Sequence, residues 1–159
     1  MTALPHPPIF WPRCAALASI PPAKPLPWSA PIAMPVKVVD ASAIAALLFG
    51  EPEADAVAAQ LADCRLVAPG LLPFELANVC LIKCRRHPEQ RAALTAAFHL
   101  YDRLTVEEVA VHHHAALELA ETTGLTAYDA SYLWLAQQLG AGFVTLDKQL
   151  ARAGTASSG

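Results

Sequence analysis

Four short apolar runs recur from residue 36 onward, and stretches rich in alanine and leucine separate them. Val36–Val39, Arg65–Ala68, Val106–Val111 and Phe143–Leu146 each have the length and apolar character of a buried strand. The intervening segments read as helices with identifiable ends. The first runs to Phe49 and stops at Gly50, and the second, Glu53–Ala62, sets Ala54, Val57, Ala58 and Leu61 on one face. Pro73 opens a third that ends near Arg86, because Pro88 disfavours helix in the residue before it. Glu89–Leu104, His114–Thr123 and Thr126–Leu139 follow, the last two closed by Gly124 and Gly140, and a short helix starts at Lys148. Strands that alternate with helices pair in parallel through right-handed crossovers, which predicts an α/β chain folded as a three-layer α/β/α sandwich around a central parallel sheet. In such sheets ligands gather at the carboxyl ends of the strands.

The chain has 159 residues, the size of one domain. Thirty-three are alanine, so much of the apolar content is a helix-favouring side chain, which argues against a β-sandwich. Charged residues make up 16% and the net charge is −3. Mean hydropathy is +0.36. These values exclude an acidic disordered chain and a basic nucleic-acid coat. No apolar run reaches the roughly 18 residues that a membrane span requires. Cys14, Cys64, Cys80 and Cys84 are too few for a disulfide scaffold and are expected to be reduced thiols in a cytoplasmic protein. Residues 1–33 hold nine of the fourteen prolines and no acidic residue, so they read as a poorly ordered N-terminal extension. Its run from Cys14 to Ile20 is too short for a convincing export signal, and Met34 is the expected natural start. The folded domain is expected over 34–154, with a flexible tail at 155–159.

Asp40 directly follows the first strand run and Asp147 the last, so parallel pairing brings both to one sheet edge. Glu75 falls in the first turn of the helix after the second run, near the same edge. Asp129 lies in the first turn of the helix opened by Thr126, but that helix follows another helix, and its convergence on this edge does not follow from the sequence. Each acid alone reads as a helix N-terminal device: Asp40 and Asp147 suit N-caps, Thr126 to Asp129 matches a capping box, and Glu75 sits favourably in the helix dipole. Together they imply something else, because crowded carboxylates are driven toward protonation unless a cation neutralises them. An all-oxygen site of this kind suits Mg²⁺, with Mn²⁺ as a substitute. Such a cation acidifies water and stabilises charge developing on phosphate oxygens.

Val38–Val39–Asp40–Ala41–Ser42–Ala43, Phe74–Glu75–Leu76–Ala77–Asn78–Val79, Tyr128–Asp129–Ala130–Ser131–Tyr132–Leu133–Trp134–Leu135–Ala136 and Val144–Thr145–Leu146–Asp147 stand in that order. They resemble the four acidic motifs of PIN-domain ribonucleases, above all the VapC-type toxins of bacterial toxin–antitoxin pairs. The likeness spans Met34 to Gly154, and the proline-rich extension departs from it. It implies a PIN-like fold, Mg²⁺-dependent endonucleolysis of RNA leaving a 5′-phosphate and a 3′-hydroxyl, restraint by a cognate antitoxin protein, and a homodimer. Carried over residue by residue, Asp40, Glu75, Asp129 and Asp147 would be the catalytic and metal-site residues, with Ser42 and Thr145 as supporting hydroxyls.

Lys83, Arg85, Arg86 and Arg91 form the one concentrated basic group, and Lys148 and Arg152 adjoin the acids; all six are candidate contacts for RNA phosphates. The competing reading is a solvated helix end. Cys80, Cys84 and His87 share a helix face but lack an evident fourth zinc ligand, and the thiols read as small buried hydrophobes. His112–His114 point in different directions and read as a surface run, while Tyr128, Tyr132 and Trp134 are expected in packing or at a subunit interface, with base stacking as the alternative. Two rivals to the nuclease reading are a non-catalytic α/β interaction module and a receiver-type phosphoacceptor domain. The second is disfavoured because the chain has no acidic pair before its first helix and no lysine after its last strand in a receiver-like arrangement.

Overall fold

The computed structural model describes residues 34–156. The extension expected at 1–33 and the tail residues 157–159 lie outside the described residues. In chain order the elements are β1 (Val36–Val39), α1 (Ala41–Phe49), α2 (Ala54–Leu61), β2 (Arg65–Pro69), α3 (Leu72–Arg86), α4 (Arg91–His99), β3 (Val106–Val109), α5 (His113–Thr123), α6 (Ala127–Leu139), β4 (Gly142–Val144) and α7 (Lys148–Ala156). Helix α7 thus takes in the first two residues of the expected tail. Single 3₁₀ turns, Pro88–Gln90 and Leu100–Arg103, flank α4, so the helix expected over Glu89–Leu104 is three pieces. Pro88 ends α3 and opens the first of these turns.

All strand pairs are parallel, in the order β3-β2-β1-β4. From β1 the chain moves outward to β2 and β3, then returns to add β4 on the other side of β1. That reversal makes the β1/β4 boundary the topological switch point, where a crevice opens at the carboxyl ends of an open α/β sheet. The register fixes what lies there: Val38 pairs with Phe143 and Val39 with Val144, which leaves Asp40 and Thr145 side by side one step beyond the ladder.

The helices form layers against a central parallel sheet, the α/β/α arrangement that the sequence implies. Helices α1, α2, α3 and α4 pack among themselves, and α6 packs against β1, β2 and β4 between α5 and α7. Val38, Val39 and Val67 on the central strands are fully buried, as are Ile44, Leu72 and Leu76 on α1 and α3. On the other face, Ala130 and Leu133 of α6 form a cluster with Ala120, Leu125 and Leu150. Truncating one such leucine typically costs about 2–5 kcal/mol. Gly50, Gly124 and Gly140 close α1, α5 and α6 in the left-handed conformation that favours glycine, as the sequence anticipates. No helix among the described residues is long and apolar enough to cross a membrane.

Candidate active site

Asp40 is the buried member of the acidic group, only 6% exposed. It is the N-cap of α1, and its Oδ1 accepts from the Ala43 N–H at 3.0 Å. Ser42 Oγ donates to the same carboxylate at 2.8 Å from Oδ1, and Thr145 Oγ1 donates to Oδ2 at 2.7 Å. Three donors therefore occupy most of the roughly four acceptor positions of a carboxylate. The two hydroxyls also tie the strand ends together: Ser42 Oγ accepts from the Leu146 N–H at 2.8 Å, and Thr145 Oγ1 from the Asp147 N–H at 2.9 Å. Ser42 and Thr145 are thus supporting groups in the plain sense of holding Asp40. Strand β4 ends at Val144, earlier than the expected Leu146, because the next three residues turn toward Asp40 and α7.

Asp147 is exposed and caps α7, its Oδ1 accepting from the N–H groups of Gln149 and Leu150, both at 2.8 Å. Glu75 lies in the first turn of α3 and accepts a short hydrogen bond from the Tyr132 hydroxyl. Asp129 closes a ring with the N-cap of α6: Thr126 Oγ1 donates to its Oδ2 at 2.6 Å and accepts from its N–H at 3.1 Å.

The four carboxylates form an electrostatic chain. Burial pushes the Asp40 carboxyl above its ordinary range, the hydrogen bonds from Thr145, Ala43 and Ser42 pull it back in part, and the charge of Asp147 pushes it up again. Burial likewise raises Glu75; the Tyr132 hydroxyl opposes this, while Asp129 and Asp40 add to it by repulsion. Tyr132 itself is held firmly protonated by burial and by its bond to Glu75. So Asp147 acts on Asp40, Asp40 on Glu75 and Asp129 on Glu75. Asp129 lies in the first turn of α6, which packs against β1, β2 and β4 and whose Tyr132 reaches Glu75.

No three His, Cys, Asp or Glu side chains among the described residues are gathered in a metal-holding cluster. Each acid is turned onto a hydroxyl or backbone N–H instead. The donor set nevertheless fits a hard divalent cation: it is all carboxylate oxygen, and burial together with neighbouring acids raises the proton affinity of Asp40 and of Glu75, which is the strain a cation relieves.

Tyr132, expected in packing, also holds the Glu75 carboxylate. It is 1% exposed and lies three residues after Asp129, one turn along the same helix. A buried tyrosine needs a partner for its hydroxyl, and here the partner is Glu75 on α3, 57 positions away in the chain, which no local spacing announces.

The basic candidates divide. Lys148 and Arg152 are exposed on α7 next to Asp147. Lys83, Arg85 and Arg86 lie at the far end of α3, with Arg86 about 16 Å along the axis from Glu75. Lys83 pairs with Glu51 at 2.7 Å and sits 5.3 Å from the Phe49 ring centre. Arg91 is exposed at the start of α4. Cys80 and Cys84 are buried, with thiols 4.0 Å apart directed to each other and to backbone carbonyls, while His87 is exposed and faces Glu89. The exposed histidine run has a local task, since His112 Nδ1 caps α5 by accepting from the Ala115 N–H at 3.3 Å.

A family model described as PIN domain matches residues 37–156. The chain belongs to the PIN-domain family. The curated protein Ribonuclease VapC3 of Pyrobaculum aerophilum is 34% identical over 119 residues, spanning 72% of this chain and 91% of that protein. A crystal structure of a P. aerophilum protein superposes with a TM-score of 0.61 at 25% identity, covering 75% of this chain and 84% of the other. VapC20 of Mycobacterium tuberculosis, a toxin described as cleaving the sarcin–ricin loop, shares the fold with a TM-score of 0.55 at 18% identity, over 74% of this PIN-domain chain and 95% of its own.

Proposed function

We propose that this PIN-domain chain is a Mg²⁺-dependent endoribonuclease of the VapC toxin type, cytoplasmic, acting as a homodimer and restrained by a cognate antitoxin. The observation that carries the reading is Asp40, buried at the switch point of the sheet and held by Ser42 and Thr145, with Asp147 just beyond the neighbouring strand and Glu75 and Asp129 in the first turns of α3 and α6. The match to the PIN family and the likeness to Ribonuclease VapC3 support it.

Asp40, Glu75, Asp129 and Asp147 would hold Mg²⁺, or Mn²⁺ in its place. The ion supplies Lewis acidity toward phosphate oxygens and lowers the pKa of water. Ser42 and Thr145 keep the Asp40 carboxylate pointed into the crevice, and Tyr132 does the same for Glu75. Lys148 and Arg152 would draw an RNA backbone toward the acids. The more distant Arg85, Arg86 and Arg91 would follow a longer strand, with Lys83 contributing charge from behind its pairing with Glu51.

Purified protein should cleave single-stranded RNA with Mg²⁺, leaving 5′-phosphate and 3′-hydroxyl ends, and lose activity with EDTA or as Asp40→Asn. Cleavage that survives either change removes the metal mechanism. The competing reading, a non-catalytic interaction module, draws on the capping role that each acid already fills. Inactivity on varied RNAs, with tight binding of a protein partner, would favour it.

A further inference from the structure

Beside the acids lies a cavity of about 620 Å³, within the range of small-molecule and cofactor sites. Its floor is apolar, formed by Pro69, Val109 and Ala116, and it adjoins the acids through two segments. Gly70 and Leu71 lead into α3 and Glu75, and Tyr128 immediately precedes Asp129 in the first turn of α6. Three of its groups carry recognition chemistry. Tyr128 is 68% exposed, a large aromatic face left to solvent beside the acidic site. Glu108, on the edge strand β3, brings Oε2 to 3.8 Å from where a side chain on Gly70 would begin, so its carboxylate overhangs the entrance to α3. His113, at the start of α5, is exposed on the same lining.

A carboxylate repels phosphate, which makes this cavity a poor backbone site. The same carboxylate matches two adjacent N–H donors, and among the RNA bases guanine alone presents such a pair, N1–H and the N2 amino group, on its Watson–Crick edge. The neighbouring O6 of guanine needs a donor, which an imidazole N–H provides. An exposed aromatic ring at the rim of an apolar cavity is the usual platform for an unstacked base. We propose that this cavity is a nucleobase subsite that seats a guanine next to the scissile phosphate. Tyr128 stacks on the base, Glu108 accepts from N1–H and N2, and His113 donates to O6. The assignment rests on the ribonuclease reading and adds to it a substrate preference, for guanosine in single-stranded RNA.

The test uses the full chain as Asp40→Asn in EDTA, so that binding is read without cleavage. Fluorescence anisotropy compares hexauridylate with hexamers in which the third uridine is replaced by guanosine, adenosine or cytidine. The guanosine strand should bind more tightly by on the order of tenfold. Adding Glu108→Gln should move the preference to adenosine, because a carboxamide offers one donor and one acceptor and so fits the adenine edge. Adding Tyr128→Leu should weaken all four strands by about tenfold, with the circular dichroism spectrum unchanged. Equal binding of the four strands with or without Glu108→Gln overturns the subsite, even where the parent protein cleaves RNA with Mg²⁺. Preference and its transfer to adenosine, in a protein that cuts no RNA, keep the subsite and remove the ribonuclease reading. Binding that neither substitution alters assigns the cavity to an apolar side chain of a protein partner and likewise overturns the proposal.

Discussion

Asp40 carries its charge in a place where charge is costly, 6% exposed and within the field of Asp147. Folding therefore raises its proton affinity, and that of Glu75, above the unfolded values. The folded chain then binds more protons than the unfolded chain between the ordinary carboxyl range and the raised values, so these groups contribute less stability as pH rises through that window. Asparagine keeps the N-cap and removes the charge. In EDTA, the melting temperature of Asp40→Asn relative to the parent should rise in the variant's favour from roughly pH 4 to pH 7. A difference that stays constant over that range contradicts the assignment. Tyr132 works in the opposite sense on Glu75, since its hydroxyl holds the carboxyl down. Tyr132→Phe should move the acid limb of the kcat/KM profile to higher pH, read from cleavage rates across pH, whereas a purely packing role would leave the limb in place. At this scale Asp40, Asp147 and Glu75 were legible because a residue at a parallel strand's carboxyl end, or in the turn just after it, can only reach one edge. Tyr132 was not, since a tyrosine on the buried face of a helix looks the same in sequence whether it fills space or holds an acid.

Helix α6 shows why the fourth acid could not be placed beforehand. It follows α5 rather than a strand, and nothing in Thr126–Leu139 states which way a helix hairpin folds back over a sheet. The decision is made by packing: Ala130 and Leu133 join Leu125, Ala120 and Leu150 in one cluster, and Tyr132 then reaches Glu75. The start of the helix was legible, because Thr126 and Asp129 form the ring of hydrogen bonds that their spacing suggests. Thr126 has two tasks, capping α6 and holding the Asp129 carboxylate. Thr126→Ala should cost about 1 kcal/mol in urea denaturation, and should lower cleavage by more than a change of that size in folded population explains. Activity proportional to the folded fraction would confine Thr126 to capping. The break of Glu89–Leu104 into three pieces was not legible: Pro88 marks only the end of α3, and no proline or glycine announces the changes at Arg91 or at Leu100.

Across the whole molecule, a net charge of −3 leaves RNA affinity to be supplied by local groups, and these lie at two distances from the acids. Lys148 and Arg152 adjoin the switch-point crevice on α7, whereas Arg85 and Arg86 stand at the other end of α3, about 16 Å from Glu75. The parallel topology enforces this separation, because a helix that starts at the carboxyl edge of the sheet must deliver its last turn to the opposite edge. A short strand held at the acids can touch only the first pair, while a longer one can reach both. Each phosphate contact on single-stranded RNA contributes about 0.7 to the slope of log affinity against log salt. Lys148→Ala with Arg152→Ala should therefore weaken the binding of trinucleotides and dodecanucleotides alike, lowering each slope by about 1.4. Arg85→Ala with Arg86→Ala should leave trinucleotide binding unchanged and flatten the slope only for the dodecanucleotide. Titrations by fluorescence anisotropy at several salt concentrations read both. If the α3 pair alters neither length, those arginines are a solvated helix end stabilised by the dipole, and the RNA path leaves the crevice in another direction.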